Sequence, residues 1–166
     1  SAALDAGGLT LASVQDDAPY TYAGANGKSV NNYDRRYRGF TTLREAITDS
    51  INIVTVKTLA QAGVSLGWQY VQEYGFTTVD SRDMNEALAL GGITQGVSNL
   101  ELTAAYAAIA NQGTYIKPKF YTKILDHDGN VLIDNTTPES HTVIKDTTAW
   151  LLTSAMEDVK IGRAHV

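Results

Sequence analysis

The chain has 166 residues, no cysteine and a formal net charge of -5, and 43% of its residues are hydrophobic. These values are typical of one globular domain, or a large part of one, with a sizeable core. Its net charge is negative and its acidic residues are scattered, which argues against a nucleic-acid-binding surface, since such a surface needs clustered Lys and Arg to neutralise phosphates. The absence of cysteine excludes disulfides, thiolate zinc sites and a cysteine nucleophile.

The first forty residues predict the end of a helix followed by an irregular loop. Residues 2–6 are helix formers, and Gly7-Gly8 stops them. Residues 9–40 are rich in Gly, Asn, Asp and Tyr, which is typical of a loop. Four tyrosines of this loop are expected to pack it onto the helices, in preference to lining a groove: Tyr20, Tyr22, Tyr33 and Tyr37.

Three helices are predicted in the centre of the chain. Thr42 and Glu45 have the spacing of a capping box, in which each side chain binds a free amide of the other residue. The helix that they open should run to about residue 49. A second helix is predicted over about residues 53–62, and a third starts after residue 65 and ends at residue 75.

The second half of the chain predicts a loop, a helix, a hairpin and a final helix. Ser98 and Glu101 form another capping box, and the helix that they open is apolar nearly all round, which predicts a buried central helix. Asp128-Gly129 is a strong signal for a hairpin turn. The predicted bounds are 76–97 for the loop, 98–113 for the helix with its ends, 119–126 and 131–134 for the strands, and about 147–159 for the last helix.

Ser50-Ile51-Asn52 stands at the junction of the first two central helices. Alone, a Ser-x-Asn sequence is a weak signal with an ordinary structural explanation. Ser50 would cap the second helix, and Asn52 would relax the backbone between the helices. Ile51 is expected to point into the packing.

The surroundings of this motif favour a different interpretation, because three segments resemble class A penicillin-binding proteins in the same order. The resemblance implies an α+β fold of the penicillin-binding-protein transpeptidase and serine β-lactamase type. This chain would supply mostly its helical lobe and a β-hairpin. The three segments begin at Asn32-Tyr33-Asp34 and run through the motif, at Leu88-Ala89-Leu90-Gly91-Gly92, and at Asn111-Gln112-Gly113-Thr114-Tyr115.

The resemblance also implies a chemistry. Members of the family cross-link peptidoglycan stem peptides by serine acyl transfer, and β-lactams acylate the same serine. In that scheme Ser50 relays a proton to the leaving group, and Asn52 positions the substrate and the general-base lysine. No cofactor is implied. The family places the protein at the extracytoplasmic face of the bacterial cell membrane, held there through an anchor outside this chain.

Two further motifs of the family are missing from the chain. No serine is followed three positions later by lysine, and neither Lys-Ser-Gly nor Lys-Thr-Gly occurs. We therefore expect residues 1–160 to be a truncated transpeptidase domain that is inactive alone, with the nucleophile and the third motif outside it. Residues 161–166 read like a translated sequencing adapter and are expected to be a non-native tail.

Two alternatives remain open from the sequence. A β-lactamase-related hydrolase shares the fold and a Ser-x-Asn motif. A non-catalytic module could instead use the helical lobe to bind a cell-wall partner. A Ser-x-x-Lys motif shortly before residue 1 would favour the enzymes over the binding module.

Overall fold

A computed structural model describes residues 1–22 and 29–163, the last four of them as backbone only. Among these residues the helices are α1 (Ala2–Asp5), α2 (Leu43–Thr48), α3 (Asn52–Ala62), α4 (Val64–Glu73), α5 (Asn99–Ala110) and α6 (Asp146–Arg163). Two short 3₁₀ helices lie between α4 and α5, at Ser81–Asp83 and Glu86–Leu90. None of the helices described is long and apolar enough to cross a membrane.

The strands in the described ranges form four separate antiparallel pairs. They are β1 (Val14–Asp17), β2 (Tyr20–Thr21), β3 (Ser29–Val30), β4 (Gly39–Thr42), β5 (Thr114–Ile116), β6 (Lys123–Leu125), β7 (Val131–Asp134) and β8 (Ser140–Thr142). β1 pairs with β4, β2 with β3, β5 with β8, and β6 with β7. The mixture of helices with the β6–β7 hairpin confirms the α+β class.

The prediction of an irregular loop over residues 9–40 is wrong in part, because β1 to β4 lie within or beside it. These strands are two to four residues long. Such short strands leave no alternation of apolar and polar residues to recognise. Their partners are also distant in sequence, with Val14 paired to Thr42 and Tyr20 paired to Val30.

Both predicted capping boxes are confirmed. At α2 the amide of Thr42 donates to Glu45 at 2.9 Å, and the amide of Glu45 donates to the Thr42 hydroxyl at 3.2 Å. Ser98 and Glu101 repeat the arrangement at α5. Glu101 additionally accepts hydrogen bonds from the hydroxyl and amide of Thr77, at 2.7 and 3.0 Å. The bonds from Thr77 and Ser98 lower the pKa of Glu101 to about 2.

The prediction that α5 is a buried central helix is wrong in part. Ala104, Ala105 and Ala108 face the core, but Leu102 and Tyr106 keep 43% and 57% of their surface exposed. A helix that is apolar on every side carries no periodic signal to show which side packs. The last helix, α6, runs four residues past the predicted end, so that residues 161–163 of the predicted tail continue its backbone. Residues 164–166 of that tail lie outside the described residues.

The buried apolar side chains that the structure describes form three clusters. The largest joins α4, α5, β5 and α6, with Tyr74, Ala108, Tyr115, Ile144 and Leu152 among its buried members. The second joins α2 to α3, and a third packs the 9–40 region onto α3 through Val30, Ile53 and Val56.

Two of the four loop tyrosines behave as predicted. Tyr20 and Tyr22 pack against the third cluster. Tyr33 and Tyr37 do not, since they are 99% and 51% exposed. The prediction is therefore wrong for the two tyrosines that lie nearer to the Ser-x-Asn motif.

Gly113 provides a test of the packing between α5 and α6. Its φ is +87°, and a β-carbon at this position would overlap the carbonyl oxygen of Ile144. Gly129, in the β6–β7 turn, has a similar φ of +85° but open space around it. We expect G129A to cost about 1 kcal/mol from backbone strain, and G113A about 3 kcal/mol because steric overlap is added. Urea unfolding of both variants measures the difference, and equal midpoints would contradict the described contact.

Candidate active site

The end of α2 shapes the Ser50-Ile51-Asn52 motif. The amide of Ser50 donates to the carbonyl of Ile47 at 3.3 Å, and the amide of Ile51 donates to that of Ala46 at 2.9 Å. Together these bonds form a Schellman motif, in which the residue after the helix cap adopts a left-handed conformation. Ser50 is that residue, with a φ of +55°. Glycine is usual at this position, and serine there costs about 1 kcal/mol of strain.

The interpretation of Ser50 as the cap of the next helix is wrong. The N-cap of α3 is Ile51, and its side chain makes no capping hydrogen bond. The side chain of Ser50 is exposed, and no residue in the described part of the chain binds its hydroxyl. Left-handed residues other than glycine concentrate at functional sites, where the strain serves a purpose. The turn therefore holds the hydroxyl of Ser50 at the surface, where no described residue forms a hydrogen bond with it.

Ile51 points into the packing, as predicted. It is 1% exposed and lies in the second cluster with Leu43, Ala46 and Val54. An apolar residue at this point of a Schellman motif often contacts the last turn of the helix before it. Burial of Ile51 thus anchors the turn on which Ser50 is exposed.

Asn52 is the first residue of α3, and its side chain is held from one side. Its Nδ2 donates to the carbonyl oxygen of Asn31 at 2.9 Å. The next residue along, Asn32, accepts a hydrogen bond at its Oδ1 from the amide of Ile53 at 3.2 Å. Two consecutive residues of the loop therefore bind two consecutive residues in the first turn of α3, where backbone amides lack helical partners.

Asn32 is itself fixed by a buried network. It is 4% exposed, and its Nδ2 donates to both carboxylate oxygens of Asp17, at 2.8 and 3.0 Å. The same nitrogen donates to the carbonyl of Arg36 at 2.8 Å. Asp17 is 0% exposed and also accepts from the amide of Arg38 at 2.9 Å. A buried carboxylate is tolerated only with such partners.

A surface cavity of about 210 Å³ opens beside Ser50. The guanidinium of Arg38 stands at this cavity, 3.0 Å from Asp34, 3.7 Å from Asp49 and 3.9 Å from Asp17. The amide of Arg36 and then the charge of Arg38 lower the pKa of Asp34. Three carboxylates face one guanidinium, so Arg38 is compensated locally. The cavity is lined by Asn32, Tyr33, Asp34, Arg38, Asp49, Ser50 and Ile51.

The structure brings the two predicted site residues to one helix junction, but sequence reasoning missed what holds them. Asn32 belongs to a segment that resembles the family, yet nothing local marks it as buried. Its partners Asp17 and Ile53 lie 15 and 21 positions away. Only the paired fold of the 9–40 region places them together.

Comparisons with known proteins identify the family of this chain. A family model described as "Penicillin binding protein transpeptidase domain" matches residues 1–165. Penicillin-binding protein 1F of Bacillus subtilis is 40% identical over 128 residues, which are 77% of this chain and 17% of that protein. Penicillin-binding protein 1A of Clostridium novyi is 33% identical over 166 residues, covering 93% of this chain and 19% of that protein. The chain belongs to the penicillin-binding protein transpeptidase family.

Solved structures show the same fold. Penicillin-binding protein 1A from Haemophilus influenzae superposes with a TM-score of 0.78 at 28% identity, covering 93% of this chain and 27% of that one. Penicillin-binding protein A from M. tuberculosis, solved as an imipenem acyl-enzyme complex, superposes with a TM-score of 0.83 at 19% identity, covering 97% of this chain and 41% of that one. At that identity the similarity shows the fold alone. The chain spans about a fifth of the length of the curated relatives it matches. The predicted family and fold are confirmed.

The burial of Ile51 predicts that the middle residue of the motif is constrained in size. We expect I51A to lower the free energy of unfolding by about 3 kcal/mol and I51V by about 1 kcal/mol, because buried methyl groups are lost. Leu132, which is 64% exposed in β7, is the control, and L132A should change little. Urea unfolding followed by tryptophan fluorescence measures all three, and an I51A midpoint equal to that of L132A would refute the packing role.

Proposed function

We propose that this chain is part of a peptidoglycan D,D-transpeptidase that joins stem peptides by serine acyl transfer and is acylated by β-lactams. The supporting observation is the hydroxyl of Ser50, which a strained turn holds exposed next to Asn52 in a chain of this family. Relatives with this fold have been solved as acyl-enzyme complexes with imipenem and penicillin G. The whole protein would act at the extracytoplasmic face of the bacterial membrane.

Ser50 is suited to proton relay. An amide nitrogen leaves poorly unless it receives a proton as the bond to carbon breaks. A hydroxyl can accept a proton from one neighbour while it donates its own to another. An exposed Ser50 that binds no described residue has its hydroxyl available for both bonds. A serine whose hydroxyl already capped a helix would have to break that bond first.

Asn52 is suited to positioning. One of its two N–H groups is taken by the carbonyl of Asn31. No other group in residues 1–22 and 29–163 is seen to bind this side chain, so one N–H group and the amide oxygen are left for a substrate peptide and for the general-base lysine. Because the Asn31 bond restrains rotation of the amide, the remaining groups are oriented before a ligand arrives.

The nucleophile and the third motif belong, in this proposal, to parts of the protein outside these residues. No serine in the chain is followed at the third position by lysine. The terminal D-Ala-D-Ala of a stem peptide would be the acyl donor. The domain bounds inferred from the sequence, residues 1–160, remain part of the proposal.

Labelling with a fluorescent penicillin tests where the nucleophile lies. We expect the complete protein to acquire a covalent label that survives denaturation, and the 166-residue chain to acquire none. Excess unlabelled penicillin G should remove the signal from the complete protein. A covalent label on the chain alone would show that a nucleophile is present within it.

Two substitutions of Ser50 separate its chemistry from its backbone strain. In the complete protein, S50A and S50G should both slow acylation by about 10²- to 10⁴-fold, because both remove the hydroxyl. S50G should have a free energy of unfolding up to about 1 kcal/mol higher than S50A, because glycine adopts a positive φ without strain. It should therefore melt at a higher temperature.

The control for this pair is S65A, at an exposed serine near the start of α4. It should match the wild type in both measurements. Acylation by S50A at the wild-type rate would reject the relay. Equal melting temperatures for S50A and S50G would contradict the backbone strain assigned to position 50.

A further inference from the structure

We infer that Asn32 is a positioning residue of the active site, which holds Asn52 in its working orientation from the loop that is hydrogen-bonded to the start of α3. This inference rests on the proposed function. It assigns no contact between Asn32 and substrate. The residue acts through the first turn of α3, to which it and its neighbour Asn31 are hydrogen-bonded.

The orientation of the Asn32 amide is determined by its surroundings. Its nitrogen faces the carboxylate of Asp17 and the carbonyl of Arg36, and both can only accept hydrogen bonds. Its oxygen faces the amide of Ile53, which can only donate. Rotating the amide by 180° would oppose oxygen to oxygen and N–H to N–H. At 4% exposure, water offers no replacement partners.

This fixed side chain also fixes the bond to Asn52. The carbonyl of Asn31 belongs to the peptide group that leads into Asn32. When Asn32 is held by Asp17 and Ile53, that peptide plane is restrained, and its oxygen stays 2.9 Å from Nδ2 of Asn52. Asn31 contributes through its backbone, since among the described residues its own exposed side chain binds only the carbonyl of Ser29. The side chain of Asn32, and not that of Asn31, therefore carries the effect.

The network has the properties that accurate positioning requires. Within the part of the chain that the structure describes, each partner of Asn32 is either the buried Asp17 or a backbone group, and none is an exposed side chain. A displacement of about 1 Å in a positioning group can reduce a rate by about 10²-fold without contact with the reacting atoms. Loss of Asn32 would free the Asn31 carbonyl and leave Asn52 able to rotate.

The test is the time course of acylation of the complete protein by fluorescent penicillin over a range of concentrations. It gives the maximal rate, the apparent binding constant and the fraction of molecules labelled. For N32A we expect a maximal rate lower by about 10- to 100-fold, a nearly unchanged binding constant and complete labelling at long times. N31A, which keeps the backbone carbonyl, should behave as the wild type.

A charge exchange provides a rescue. N32D places a second carboxylate against Asp17 and should be as slow as N32A or slower. The double variant D17N/N32D restores a donor opposite a carboxylate, and Ile53 can still donate to position 32. It should recover part of the lost maximal rate, although the carbonyl of Arg36 loses its donor.

The outcomes distinguish the possibilities. A slower maximal rate with complete labelling supports positioning. A smaller labelled fraction at the wild-type rate would mean that Asn32 only maintains the fold, and this would overturn the inference, as would an N31A variant as slow as N32A. If the wild-type protein is never labelled, the proposed function itself has failed.

Discussion

The fully buried carboxylate of Asp17 imposes the constraint on which the region around the motif depends. A carboxylate removed from water is costly unless hydrogen bonds and charge compensate it. Asp17 obtains these from the side chain of Asn32 and from the amide and guanidinium of Arg38. Meeting that requirement fixes the path of the chain at Asn32 and Arg38. This path also brings Asn31 and Asn32 against the start of α3. The same contacts therefore compensate the buried carboxylate and arrange the candidate site.

The structural features that the sequence predicted correctly depend on residues close together in the chain. The capping boxes at Thr42 and Ser98 depend on residues three positions apart, and the structure has both. Family membership could be predicted because extended segments carry it. The features that the sequence did not predict depend on contacts between distant segments. The pairing of β1 with β4, the burial of Asp17 and the exposure of Tyr33 depend on segments that meet only after folding.

Ser50 shows a different kind of limit. The left-handed residue of a Schellman motif is usually glycine, but here it is serine. Ser-x-Asn beside a helix start therefore suggested a cap, although the residue in fact completes the end of the preceding helix. The local rule failed at the position where a hydroxyl is exposed at a cost in strain. Departures of this type are expected where a residue is retained for chemistry.

The left-handed turn at Ser50 also restricts which side chains could ever replace it. Threonine carries the same hydroxyl, but its branched β-carbon is strongly disfavoured at a positive φ. Asparagine and aspartate tolerate this conformation, but neither supplies a neutral hydroxyl. Backbone geometry thus excludes the nearest chemical substitute before reactivity is considered. A substitution that keeps this backbone conformation without added strain would therefore remove the alcohol.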